Sequence, residues 1–302
     1  MMSFKFIWIP ALMVLLFLVI LNSYIYINQD NFIFLKQDIN PNKIRPHGSN
    51  FEDVYLNMDD GSLFKCWFVK TEDYKNKPVL LYYLGKGGYI EKYVTLFNTI
   101  VKKVDVSIFS CSNRGCGTNK GNPSEEQLYK DALVPLNYLK KIQTKQLFIF
   151  GNSMGCAIAL ETASKNQENI HGIILENPFL SIKDMSNKNH PFLNFFLISF
   201  DILIRTKMEN NKKIKKIHIP ILFNISEKDE VIPPEHSKIL FELCPSKNKF
   251  RYFSKNGTHN NIIKDDDGSY HKFMKLFIET ATSLHDNQNK KNIDDLLPEP
   301  QV

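Results

Sequence analysis

The sequence predicts an α/β architecture: a mostly parallel sheet covered by helices on both faces, with an antiparallel edge in front of it. Three observations carry that reading. Short apolar strand-like runs alternate with helix-like patterns from Val54 to Leu284, which is the pattern βαβ units produce. At the centre, Gly151, Asn152, Ser153, Met154 and Gly155 lie between an apolar run and a helical pattern, where a sharp strand-to-helix turn belongs. Ahead of all this stands Phe6 to Ile27, an uncharged apolar stretch long enough to cross the hydrocarbon core of a bilayer.

The apolar stretch follows Lys5 and ends at Asn28, Gln29 and Asp30. A cleaved signal peptide is the rival reading, but the stretch is long for such a segment and Asn22 to Gln29 offers no small-residue cleavage site. Residues 1–28 are therefore expected to be an uncleaved, single-pass membrane anchor, with Trp8, Tyr24 and Tyr26 as interfacial aromatics. Lys5 on one side is balanced by Lys36, Lys43 and Arg45 on the other, so positive charge does not decide the orientation. The sequon Asn256, Gly257, Thr258 sits where a glycan would obstruct the chemistry described below, which disfavours a glycosylating lumen.

Residues 29–50 read as a polar connector and 51–285 as the α/β domain. Val54 to Met58 and Leu63 to Lys70 flank Asp59, Asp60, Gly61 and Ser62, a hairpin signature. Strands are then expected near Val79–Leu84, Val106–Ser110, Leu147–Phe150, Ile170–Leu175, Ile219–Ile225 and Lys249–Phe253. Helices are expected near Glu91–Val104, Glu125–Lys141, Met154–Lys165, Pro234–Cys244 and Tyr270–Leu284. Residues 186–218 interrupt the alternation with an apolar segment, Phe192 to Ile204, followed by Lys207, Lys212, Lys213, Lys215 and Lys216. This is expected to form a short helical lid, either contacting lipid with its lysines toward headgroups or packing as an ordinary helix before a solvated basic loop. Residues 286–302 are predicted to be disordered. Composition is that of a globular protein, 43% hydrophobic and 23% charged. The six excess positive charges form no strong basic block, and no motif supports nucleic-acid binding. Cys66, Cys111, Cys116, Cys156 and Cys244 have neither metal-ligand spacing nor an even disulfide count, so mostly free thiols are expected.

The G-x-S-x-G turn makes Ser153 the nucleophile candidate, because glycines two before and two after permit a turn too tight for a Cβ. The alternative is a serine that only caps the helix from Met154 onward. A serine hydroxyl needs a base to take its proton and an acid to hold that base. His259 lies in the loop Asn256 to Asn261, after the last strand and before the last helix, the placement required of the base. His236, His271, His47, His171 and His218 fit less well. Asp229 follows the strand Ile219–Ile225, where a carboxylate reaches across the sheet's top to the imidazole. Glu227 and Glu230 beside it read as surface charges, and Glu176 is the reserve acid, its other role being a hydrogen bond to a loop backbone. The glycine-rich loop Gly85, Lys86, Gly87, Gly88 after strand Val79–Leu84 supplies backbone donors for an oxyanion: Met154 gives one N–H, and Lys86 or Gly87 the other.

These motifs in this order resemble the α/β-hydrolase superfamily over Val54 to Leu284, and more closely its membrane-anchored, α/β-hydrolase domain-containing branch related to the serine aminopeptidase type. The resemblance rests on Gly85 to Gly88, Asn113 to Thr118 with Gly121, Pro123, Ser124 and Glu125, Gly151 to Gly155, Glu176 to Phe179, Asp229 to Pro233 and Gly257 to Asn260. It departs at Leu84, Gly85, Lys86, where members commonly carry His-Gly-Asn. The resemblance implies an eight-stranded sheet and hydrolysis through an acyl-serine intermediate, with no metal or organic cofactor. Together with the anchor and lid it implies acyl ester or thioester substrates, lipids or acylated proteins among them. A serine peptidase is the second enzyme reading, and a catalytically silent hydrolase-fold interaction protein is the reading from another class.

Overall fold

The computed structural model describes residues 4–38, 48, 50–142, 144–189, 204–264 and 267–294. The chain opens with α1 (Phe4–Ile33) and β1 (Gln37–Asp38), then β2 (Asn50–Asn57), β3 (Leu63–Lys70) and β4 (Val79–Tyr83). There follow α2 (Val94–Val104), β5 (Ser107–Cys111), β6 (Cys116–Gly117), α3 (Glu125–Lys141), β7 (Leu147–Asn152), α4 (Met154–Asn166) and β8 (Gly172–Glu176). The remainder comprises α5 (Ile182–Asn189), α6 (Asn210–Lys213), β9 (Ile221–Ser226), α7 (Pro234–Leu243), β10 (Lys249–Ser254) and α8 (Ser269–Asp294).

Eight strands form one sheet in the order β10-β9-β8-β7-β4-β5-β3-β2. Only β2 with β3 and β3 with β5 pair antiparallel; the other pairs are parallel. Both faces are covered, so the central strands are apolar at every position: Val79 to Tyr83 are all buried. Alternation sorts them by face. Leu81 and Tyr83 pack with Ile149, Leu175 and Phe223 beneath α3 and α4, while Leu80 and Tyr82 pack with Phe148, Phe150 and Ile174 beneath α2 and α8. From β4 the chain proceeds to β5 on one side and then crosses to β7 on the other. Such a reversal opens a crevice beyond the strands' carboxyl ends, the place where doubly wound sheets carry their sites.

Several expectations are corrected here. The helix expected from Glu91 begins as a 3-10 turn, Ile90–Tyr93, before α2. The amino-terminal helix does not stop at 28 but runs to Ile33, and its span Trp8–Ile33 is long and apolar enough to cross a membrane. The helix α8 continues through Asp286 to Asp294, where a disordered tail is predicted. Cys66 and Cys111 form a disulfide; they face each other in the β3–β5 register, a proximity that sequence spacing does not reveal. Cys116, Cys156 and Cys244 are free and buried. Of the lid, residues 190–203 lie outside the described residues. Lys213 turns away from any headgroup role: its side chain is nearly buried, 3.5 Å from Glu161 and over the Tyr129 ring at 4.1 Å.

Candidate functional site

The site grows from the turn between β7 and α4. A Cβ on Gly155 would lie 2.1 Å from the Tyr83 carbonyl oxygen, so only glycine lets the turn press against β4. Ser153 adopts φ 53° and ψ −117°, a conformation that costs a non-glycine residue about 1–3 kcal/mol and persists only where its surroundings hold it. The hold comes from β8, since the Ser153 N–H donates to the Glu176 carbonyl at 2.8 Å. The hydroxyl makes no helix-capping hydrogen bond. Instead Oγ lies 3.0 Å from His259 Nε2.

His259 Nδ1 in turn lies 2.8 Å from Asp229 Oδ2, and the Asp229 side chain is only 1% exposed. Its other oxygen accepts the Val231 and Ile232 N–H groups at 2.8 and 2.7 Å, which fixes the carboxylate in its own turn. The two loops are joined: Lys228 N–H donates to the Gly257 carbonyl at 3.0 Å, and His259 N–H to Glu230 Oε2 at 3.1 Å. Ser153, His259 and Asp229, separated widely in sequence, thus form one hydrogen-bonded chain above the carboxyl ends of β7, β9 and β10.

Glu176, the reserve acid, is turned elsewhere. It accepts from Asn152 Nδ2 at 2.8 Å and from the Tyr270 hydroxyl at 2.5 Å, rather than from a loop backbone, and burial pushes its carboxyl above the usual range. The oxyanion candidates adjoin the serine. A Cβ on Gly85 would stand 3.5 Å from Ser153 Cβ, so the loop carrying Lys86 and Gly87 packs against the turn. Met154, as first residue of α4, has an N–H without a carbonyl four residues earlier in the helix. The loop is braced by Asn113 Nδ2 donating to the Gly85 carbonyl at 2.8 Å and by Gly88 N–H donating to the same oxygen at 3.0 Å. Burial lowers the Lys86 amine below its ordinary range, and Nζ donates to the Phe32 carbonyl at 2.9 Å.

Sequence reasoning passed over two supporting groups. Glu230 is an exposed charge, as the sequence reading has it, and its carboxylate also accepts the His259 N–H. Asn177, at φ 50°, is buried; its side chain accepts from Ser226 N–H at 2.9 Å and donates to Ser226 Oγ at 3.0 Å, tying β8 to β9 below the Asp229 loop. An asparagine directly after a strand, a residue that tolerates left-handed backbone, is the signal that could have found it. Among the described residues, no group of three or more His, Cys, Asp or Glu side chains is arranged to hold a metal ion.

A family model described as serine aminopeptidase, S33 matches residues 74–206. Alpha/beta hydrolase domain-containing protein WAV2 of Arabidopsis thaliana is 30% identical over 66% of this chain and 68% of its own length. Protein bem46 of Schizosaccharomyces pombe is 33% identical over 72% and 73%. Lysophosphatidylserine lipase ABHD12 of Danio rerio is 28% identical over 59% of this chain and 50% of its own length. The structure of a soluble variant of monoglyceride lipase from Saccharomyces cerevisiae with a substrate analog superposes with a TM-score of 0.58 at 18% identity, covering 78% of this chain and 98% of that one, which speaks for the fold. Motif order, sheet topology and these matches agree: the chain belongs to the α/β-hydrolase family, among its α/β-hydrolase domain-containing members.

Proposed function

We propose that the chain is a membrane-anchored serine hydrolase that cleaves acyl esters or thioesters through an acyl-serine intermediate. The observation that carries the reading is the hydrogen-bonded chain from Ser153 Oγ through His259 to Asp229. As Oγ attacks the acyl carbonyl, His259 Nε2 takes the hydroxyl proton and Asp229 stabilises the imidazolium. The carbonyl oxygen becomes an oxyanion and accepts from the N–H of Met154 and from that of Lys86 or Gly87. Collapse expels the alcohol or thiol, which leaves with the proton from His259. Water then attacks the acyl-serine, giving its proton to His259, and the acid departs as Ser153 regains its hydrogen. Helix α1 supports anchoring, and the lysophosphatidylserine lipase relative supports a lipid-like acyl substrate.

The test uses the full-length chain in detergent micelles, with p-nitrophenyl acyl esters and a fluorophosphonate probe. Ser153→Ala is expected to abolish labelling and to lower turnover by at least about 10³-fold. Equal rates in parent and variant, with both folded, would move the assignment to the silent interaction protein. The family model's description favours a second arm, aminoacyl amides; preference for these over acyl esters would make the chain a peptidase.

A further inference from the structure

The connector expected at 29–50 begins as something else: the exit of α1 is docked on the catalytic domain. Gln29 is 5% exposed, and its Oε1 accepts the backbone N–H groups of Arg205 and Thr206 at 2.7 and 3.2 Å. The Asp30 carboxylate accepts from Arg205 Nη2 at 3.0 Å and from the Thr206 hydroxyl at 2.8 Å. Lys86 of the oxyanion loop donates to the Phe32 carbonyl, the Leu35 carbonyl accepts from the Cys116 thiol at 3.2 Å, and β1 pairs parallel with β6. This is a built contact, with side-chain, backbone and strand components on both sides.

What it builds is mostly apolar. Phe34 and Leu35 line a small cavity together with Gly87, Pro123, Leu128 and Met154, and Asn113 and Arg114 complete its wall. Two of these residues, Gly87 and Met154, are candidates for donating the oxyanion's N–H groups. Contact at the first is close: a Cβ on Gly87 would lie 2.8 Å from the Leu35 side chain. Phe34 is buried, whereas Phe32 and Leu35 keep 57% and 43% of their surface exposed, so an apolar edge continues from the cavity to the exterior. The apolar stretch ends at Ile27, and at 1.5 Å per residue Ile33 stands only about 9 Å further along the helix.

The geometry points to the exit of α1 as the acyl-binding wall of the Ser153 site, with Leu35 setting the chain length that fits. The inference rests on the serine hydrolase reading and deepens it: the acyl group is a long alkyl chain of an ester lipid in the leaflet next to the site. It passes along Phe32, Leu35 and Phe34 toward Met154, and its carbonyl reaches Ser153 without crossing bulk water. The anchor is then part of the binding site as well as a tether.

The experiment compares the full-length chain with Leu35→Trp and Leu35→Ala in micelles, using p-nitrophenyl esters of two to twelve carbons. Rates are normalised to the fraction that fluorophosphonate labels, so a misfolded fraction drops out. Leu35→Trp is expected to lower the ratio of dodecanoyl to acetyl turnover at least tenfold, and Leu35→Ala to move the optimum toward longer chains. Ratios within twofold of the parent for both variants would overturn the wall while leaving the labelled serine intact. Failure of the parent itself to be labelled at Ser153 would overturn the underlying reading instead, and the inference with it.

Discussion

Ser153 is strained, oriented by a neighbouring strand, and faced by an imidazole whose other nitrogen meets a buried carboxylate. Each of these restraints acts on a single torsion or tautomer, so single-residue changes read them directly. Asp229→Asn is expected to reduce kcat by about 10⁴-fold near neutral pH, because the amide favours the wrong histidine tautomer, with KM changed far less; steady-state kinetics on an acyl ester checks it. Another buried carboxylate lies outside the site. Glu91 has a side chain 1% exposed, with Lys65 Nζ 4.0 Å away, and neither carboxyl oxygen has a hydrogen-bond partner among the described residues. Burial pushes its carboxyl upward. The folded state therefore holds this proton more tightly than the unfolded chain, and stability falls as pH rises above the ordinary carboxylate range. Glu91→Gln is expected to raise the unfolding temperature at pH 8 by about 2–4 °C and to leave it unchanged near pH 4, as thermal melts at the two pH values will show.

At the scale of elements, the β7–α4 turn is the joint on which the site depends. It packs directly on the end of β4, so Gly155→Ala meets the Tyr83 carbonyl rather than a movable side chain. The substitution is expected to destabilise by about 3 kcal/mol and to lower activity even in the fraction that folds, measured by chemical denaturation and active-site labelling. That joint was legible in the sequence because glycine spacing and the strand-to-helix switch are local. So was α3: Ser124 accepts the Gln127 N–H at 3.2 Å, a capping arrangement written in adjacent residues, and Glu125 and Glu126 occupy its first turn. The β3–β5 disulfide was not legible, since Cys66 and Cys111 become neighbours only through strand pairing. Nor was Lys213, whose burial between α3 and α4 follows from the packing of three segments.

At the scale of the whole molecule, stability is expected to depend on pH through groups remote from the site. His171, before β8, is half-buried and stacked on His285 of α8 at 4.0 Å. Burial, and secondly His285, lower its pKa to about 4, with Asp286 opposing. The unfolded chain thus takes up this proton near pH 6.5 while the folded chain resists, so stability declines as pH falls from about 6.5 toward 4. Denaturant midpoints across that window are expected to fall in the parent and to flatten in His171→Asn.

By itself the sequence determined the α/β class, the order of strands along the chain, the apolar amino-terminal helix and the candidate residues Ser153, Asp229 and His259. These are written in local periodicity, turn chemistry and motif order, which need no knowledge of distant contacts. Tertiary structure decided what depends on distance: that Asp229 rather than Glu176 meets His259, that Tyr270 and Asn152 occupy Glu176, and that Glu230 and Asn177 brace the loops. It also decided that the helix exit is docked against the Gly85–Gly88 loop and the Arg205–Thr206 backbone rather than free as a connector. A hydrogen bond or a cavity wall is a condition on separation in space, and residues 106 or 176 positions apart acquire that separation only when the sheet is assembled.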